Sequence, residues 1–557
     1  MWFVTRPLRG LAMGAAFTFS GLLVAGVSQG AHAADVSGDV PEVVTRRLTT
    51  QQYHQAILDI FGPTVKVGGR FDPDVRDGGL LAIGSAKVSI TATGMERYDL
   101  LARGVAKQVV DERHRASLIP CTPANVHDAD VKCATEFLTR TGRLLYRRPM
   151  SQREISERVG VAVNTAHAAK DFYNGIEVAL ATMLVSPQFL FRYQVVENDP
   201  QKPGSYRLNA YSRASQLSFL MWNAAPDPEL LAAADSGALL TKKGLSSQVE
   251  RLLASPRLEA GIRAYFSDML ALEEIDGLQK DPLIYPQYTS DVGADASEQA
   301  LKTIVDFVIN TNGDYRDLLT TRKTFLTPLL GSIYRVPVAV TDNGWQSYEF
   351  PEGDPRAGLL MQMAFLSQHS HPGRSSPTLR GKAIRELLMC QRVPDPPANV
   401  DFTLLQDTHN KVLKTTRDRL TAHQANPACA GCHKITDSLG LALENFDSIG
   451  EFRTEENGSS IDATGQLDGV KFTDARGLAK TLHDNRALPT CLVQRLYSYG
   501  AGRAPAKEKA DYMADLSKQW GENGYRVVDL LRRIANSDEF YRVEMTRVSP
   551  QQSASAN

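Results

Sequence analysis

Cysteine occurs six times in 557 residues, and two of the six stand three apart with a histidine directly behind: Cys429, Cys432 and His433, in CAGCH. A Cys-x-x-Cys pair has three chemical readings: a redox dithiol, half of a zinc site, or a haem attachment point. The dithiol belongs to a βαβ context, which the surrounding sequence lacks. Zinc needs further Cys or His ligands at suitable spacing, and no second Cys-x-x-Cys exists in the chain. With histidine directly behind it, the motif is the attachment signature of c-type haem. The two thiols add across the vinyl groups as thioethers, and the adjacent imidazole reaches the iron from the same short turn. The motif therefore predicts one covalent haem c on Cys429 and Cys432, with His433 as the proximal iron ligand.

The N-terminus agrees with such an attachment, which in bacteria takes place outside the cytoplasm. Residues 1–33 open with Arg6 and Arg9, continue through the apolar run LAMGAAFTFSGLLVAGV, and end on AHA. That order is a secretory signal peptide with cleavage after Ala33, and the run is too short and too rich in Gly and Ser for a good membrane span. No later stretch reaches 18 uncharged apolar residues, so the expectation is a periplasmic or secreted protein with no membrane span after cleavage. The mature chain beyond Ala33 is too long for one core and suggests about three or four domains. A net charge of −1 leaves no electrostatic footprint for nucleic acid.

Apolar residues recur at helical spacing. In RVVDLLRRIANSDEF, Val527, Leu530, Leu531 and Ile534 mark one face. SSQVERLLASPR repeats the pattern with Val249, Leu252 and Leu253, a serine cap and Pro256 beyond the end. TTQQYHQAILDIFGP starts on a threonine cap with glutamine three residues on and stops at Gly62-Pro63. Alternating patterns are few and short, so the fold is expected to be mainly α. Loops rich in Pro, Gly and Asp separate the blocks: PTVKVGGRFDPDVRDGG, ENDPQKPGS (197–205) and RVPDPPANVDF (392–402), the last a stiff linker to the segment that carries Cys429. The domains expected are helical segments at 34–115 and 116–204, a central helical domain at 205–391, the haem module at 392–480, a C-terminal helical module at 481–547, and a disordered tail at 548–557.

CAGCHKITDSLGLALENFDSIGEFRTEENGSSIDATGQLDG is similar to the cytochrome c-like module of the planctomycete-type multidomain proteins, exported bacterial proteins described mostly as strings of domains of unknown function. VTRRLTTQQYHQAILDIFG, CATEFLTRTGRLLYRRPMSQREI, LATMLVSPQFLFRYQ, YRLNAYSRASQLSFLMWNAAPDPELL, SSPTLRGKAIRELLMCQRVPDPP and LVQRLYSYGAGR resemble the other modules in the same order. One departure is ITDSLG, where many relatives carry Asp-Pro-Leu-Gly; it bears on the turn after the histidine. The resemblance implies a secreted haem protein and names no substrate. His423, six residues ahead of Cys429 in a stretch that the family resembles, is read as lying near the haem, holding a propionate for instance, rather than as a ligand.

A sixth iron ligand separates an electron carrier from a catalyst. The sequence offers Met361, Met363, His369, His371, Met389, His483 and Met513, with the three methionines before the motif in apolar helical stretches that suit core packing. Glu444 and Asp447, three apart on an expected helix with Asp437 before them, could relay protons or bind calcium, or simply cap and solvate the module. DPDVRDGG (72–79) has a calcium-loop flavour but lacks a spaced glutamate. No hydrolase, zinc-protease or nucleotide motif stands in a usable context. Two classes of function remain: a periplasmic electron carrier with a partner oxidoreductase, and a peroxidase- or oxygenase-like haem enzyme with a small-molecule pocket in its N-terminal helical region. A surface-binding or scaffold protein is the blander alternative. The four other cysteines are even in number in an exported chain and allow three pairings. Proximity favours Cys121–Cys133, which leaves Cys390–Cys491 to close a ring around the haem segment.

Overall fold

Thr49 sets the start of the first helix. Its hydroxyl accepts from Gln52 N, the Gln52 side chain accepts from Thr49 N, and Thr50–Phe61 then stops at Gly62 with φ of 80°, a conformation that costs glycine little. The computed structural model describes residues 39–395, 403–425 and 427–547, and helices of this kind dominate it, with strands of two to four residues between them. The signal segment, most of the proline-rich linker and the C-terminal tail lie outside the described residues. The main unit spans Pro41–Glu544. No helix among the described residues is long and apolar enough to cross a membrane.

Two expectations of local structure change. Lys242–Leu253 is capped by Thr241 rather than by a serine. Leu245 is buried with Val249 and Leu252, so the apolar stripe runs one turn further back and draws Ser246 and Ser247 into the helix. ENDPQKPGS is a hairpin connection, because Val196–Asn198 pairs antiparallel with Tyr206–Leu208, and Arg542–Val543 adds a third strand.

The apolar cores do not follow the sequence blocks. One cluster joins Tyr53, Leu101, Phe137 and Ile176 of the N-terminal helices. The largest takes Leu80, Leu217, Leu366, Leu443 and Trp520 from segments hundreds of residues apart in sequence. Two disulfides join this framework, Cys121–Cys133 and Cys390–Cys491, with Cα separations of 5.5 and 5.2 Å. The second ties the turn after Ile384–Leu388 to the helix Ala487–Ala501, where Arg495 also donates to the Glu386 carbonyl at 2.6 Å.

Lys509 is buried near the C-terminal end of the main unit, donating to Tyr497 Oη and to the Glu539 carbonyl, both at 2.7 Å. Burial lowers its pKa from an ordinary 10.5 to about 8, against the pull of the Glu544 carboxylate. Between those two values the unfolded chain binds the proton and the folded chain does not, so this residue makes stability rise with pH across that window. Lys509→Met is expected to flatten that rise, measured as the difference between the two proteins' urea midpoints from pH 7 to 10.

Candidate functional site

His433 lies on the helix Pro427–Gly440, with Cys432 beside it and Cys429 one turn earlier. The side chain of Cys429 lies outside the described residues. In place of the expected short turn after the histidine, the helix continues through ITDSLG as far as Gly440. This helix is seated against Pro377–Ala383 by two glycines. A Cβ on Gly440 would stand 1.8 Å from the Pro377 carbonyl oxygen, and one on Gly381 would stand 1.9 Å from that of Thr436. Only hydrogen fits at either position, so the two backbones touch.

Helical spacing puts Asp437 one turn behind His433, and the two meet: Nδ1 of His433 lies 2.7 Å from Oδ2 of Asp437, with both side chains buried. Gln424 Nε2 donates to the same oxygen at 2.9 Å, and Thr378 Oγ1 donates to the other at 2.9 Å. A carboxylate surrounded by donors accepts from Nδ1, which fixes the ring in the Nδ1–H tautomer and leaves the Nε2 lone pair available as a ligand.

Two cavities border His433. One, of about 610 Å³, is lined by His433 together with Asp437, Gln424 and Lys434. The other, of about 380 Å³, is lined by His433 together with Cys432, Thr436, His371 and Arg374. The thiol is on the second and the carboxylate on the first, so a group bonded to both Cys432 and His433 belongs in the 380 Å³ cavity. Its walls add Pro377, Leu379, Val393 and Leu420, with Arg374, Lys382 and Arg419 as cations. Arg419 is already engaged by Glu456 at 2.5 Å. Apolar walls with a few cations suit a flat macrocycle that carries two carboxylates. Cys432 is outside both disulfides, as thioether attachment requires. The residues present fit haem c.

The other candidate residues are dispersed. His423 sets its ring edge-on against that of His433, centroids 4.9 Å apart, and does not line the 380 Å³ cavity. Met361, Met363, Met389 and Met513 are buried in apolar clusters. His483 has both nitrogens taken, by Asp484 at 2.7 Å and Asp317 at 3.0 Å. His369 packs against Phe365 at 4.8 Å, and burial drives its pKa down to about 3, with Arg380 and Lys280 adding to the effect. Burial, Arg374 and Lys280 take His371 down to about 4, so both imidazoles are neutral at pH 7.

The three carboxylates read together as a possible proton relay or calcium site do separate things. The helix ends at Gly440 and a 3₁₀ turn follows at Leu441–Leu443, so Glu444 and Asp447 are not three apart on a helix as expected. Glu444 pairs with Arg453 and accepts from Ser375 Oγ, both at 3.0 Å. Asp447 accepts from Ile449 N and Glu451 N within a turn. In the 72–79 loop, Asp72 takes Arg97 at 3.0 Å and Asp74 takes Arg47 at 3.3 Å. Among the described residues no three His, Cys, Asp or Glu side chains gather as a metal cluster.

Arg380 is a residue of this region that the sequence does not announce. Fully buried, it donates to the carbonyls of Leu366, Leu443, Phe446 and Asp447 and to Ser370 Oγ, which fastens the helix carrying Gly381 to the segment beyond the candidate site.

Five family models match in succession along this framework, each described as a protein of unknown function: DUF1587 at 46–111, DUF1595 at 133–194, DUF1592 at 208–336, DUF1588 at 356–456 and DUF1585 at 468–540. The chain belongs to the planctomycete-type multidomain family. Within that family's architecture, the Cys-x-x-Cys-His helix and the His371 loop both fall inside the DUF1588 match, while the half-cystines Cys390 and Cys491 come from the DUF1588 and DUF1585 segments. No curated protein and no solved structure matches the chain.

Proposed function

We propose that this is an exported c-type haem protein that passes single electrons to and from a partner oxidoreductase. The observation that carries the reading is His433, whose Nδ1 is held by buried Asp437 at 2.7 Å while His433 and Cys432 line one cavity. Haem c bound there supplies a one-electron iron couple. Cys429 and Cys432 are the residues that anchor it, and His433 offers Nε2 to the iron. Asp437 orients that imidazole and strengthens it as a donor, which favours the oxidised metal. Arg374, whose guanidinium makes no hydrogen bond or ion pair among the described residues, is the cation that would meet a carboxylate of the ligand, whereas Lys382 already pairs with Asp395 at 3.4 Å. Pro377, Leu379, Val393 and Leu420 give the cavity its apolar lining. Export is supported by the signal-like segment 1–33 and by two disulfides, which persist in oxidising compartments.

The test is covalent haem in protein exported by a host with a haem c maturation system. After denaturation and acid–acetone extraction, the wild-type band is expected to keep haem peroxidase stain, and the Cys429→Ala/Cys432→Ala variant is expected to lose it completely. Retention of stain by the double variant would overturn the proposal.

A further inference from the structure

The cavity that His433 and Cys432 line has a second histidine among its lining residues, His371. Of the seven side chains that the sequence offers as a second iron ligand, it alone is there. Met361, Met363, Met389 and Met513 are committed to core packing, and Met361 Sδ also accepts from Ala357 N at 3.4 Å. Both ring nitrogens of His483 are bound to aspartates, and His369 packs edge-on against Phe365 and does not line the cavity.

The backbone of His371 is fixed from two directions. Its carbonyl accepts from Ser448 Oγ at 2.7 Å, beyond the Cys-x-x-Cys-His helix, and from Lys280 Nζ at 3.4 Å. The next carbonyl, of Pro372, accepts from Asp281 N at 3.1 Å, and His371 and Arg374 bridge across the turn. The imidazole itself makes no hydrogen bond among the described residues. A histidine with a fixed backbone and uncommitted ring nitrogens, lining the cavity assigned to the haem, is suited to ligation.

We infer that His371 is the second axial ligand of the haem iron, reached through the cavity that it shares with His433. The inference rests on the haem c reading above. It makes the site coordinatively saturated, which suits electron transfer and excludes exchangeable small ligands.

The experiment uses the full-length holoprotein and reads spin state, carbon monoxide uptake and reduction potential. Wild-type protein is expected to be low-spin in the visible and EPR spectra, and its reduced form to take up no carbon monoxide. His371→Gly is expected to turn high-spin and to bind carbon monoxide, and added imidazole is expected to restore the low-spin spectrum. A merely structural disturbance would not be rescued in that way. His371→Met is expected to remain six-coordinate with a raised potential, because a thioether replaces an imidazole. His369→Ala should leave all three readouts unchanged. A wild-type protein that is already high-spin, a low-spin His371→Gly, or failure of imidazole to restore it overturns the inference. Haem staining of the same denatured samples separates the two levels. Wild type without covalent haem overturns both readings, whereas retained haem with an unchanged low-spin His371→Gly spectrum overturns this one alone.

Discussion

Arg380→Ala is expected to lower the unfolding free energy by about 4–5 kcal/mol, at the upper end of what one substitution does. The guanidinium is 0% exposed, and its removal strips donors from four carbonyls and a serine hydroxyl at once. An orphaned buried acceptor costs about 1–3 kcal/mol, and water entering the vacated volume recovers part of the sum. Burial lowers the pKa of this arginine to about 10, with Glu444 opposing, so it is charged throughout the neutral range and its loss is a loss of charge-assisted bonds. Arg380→Lys keeps the charge but loses the planar fork of donors, and should fall between the two. Urea midpoints of the three proteins check the order. A change below about 1 kcal/mol for the alanine variant would show that these carbonyls find other partners.

Removing the Cys390–Cys491 bridge by paired serine substitution is expected to cost about 4–5 kcal/mol, and removing Cys121–Cys133 about 3 kcal/mol. The difference comes from the unfolded chain: the rings enclose sequence separations of 101 and 12 residues, and the longer one takes more conformational freedom from the denatured ensemble. Denaturant titration of the two paired variants beside wild type measures this directly. The reverse order would mean that structure persisting in the unfolded state already holds the longer ring together.

Features set by local chemistry are legible in the chain. The Thr49–Gln52 capping box, the buried face of Val527–Asn536 and the scarcity of strands follow from spacing alone. So does the cystine pairing, because two cysteines twelve apart are near each other in most conformations. The Asp437–His433 contact is present as a signal, i and i+4, but a motif that reads as a turn hides the helical period running through it. Glu444 and Asp447 show the opposite error, a helix extended past Gly440. Arg380 gives no signal: an arginine in SSPTLRGKAIREL reads as a solvated helix face, and only the tertiary fold places four carbonyls around it. The choice among the seven iron-ligand candidates is equally out of reach, since lining one cavity depends on contacts between segments far apart in sequence.

The proposed carrier owes stiffness to its two glycine contacts. Gly381 and Gly440 bring the backbones of both helices together without an intervening side chain, so the wall bearing Cys432 and His433 and the wall bearing Pro377, Thr378 and Leu379 move as one body. A change of charge in the cavity then meets dipoles already in place, with little rearrangement. For the electron transfer proposed above, such a mounting would keep the reorganisation energy small and leave the rate to the approach of the partner and the difference in potential.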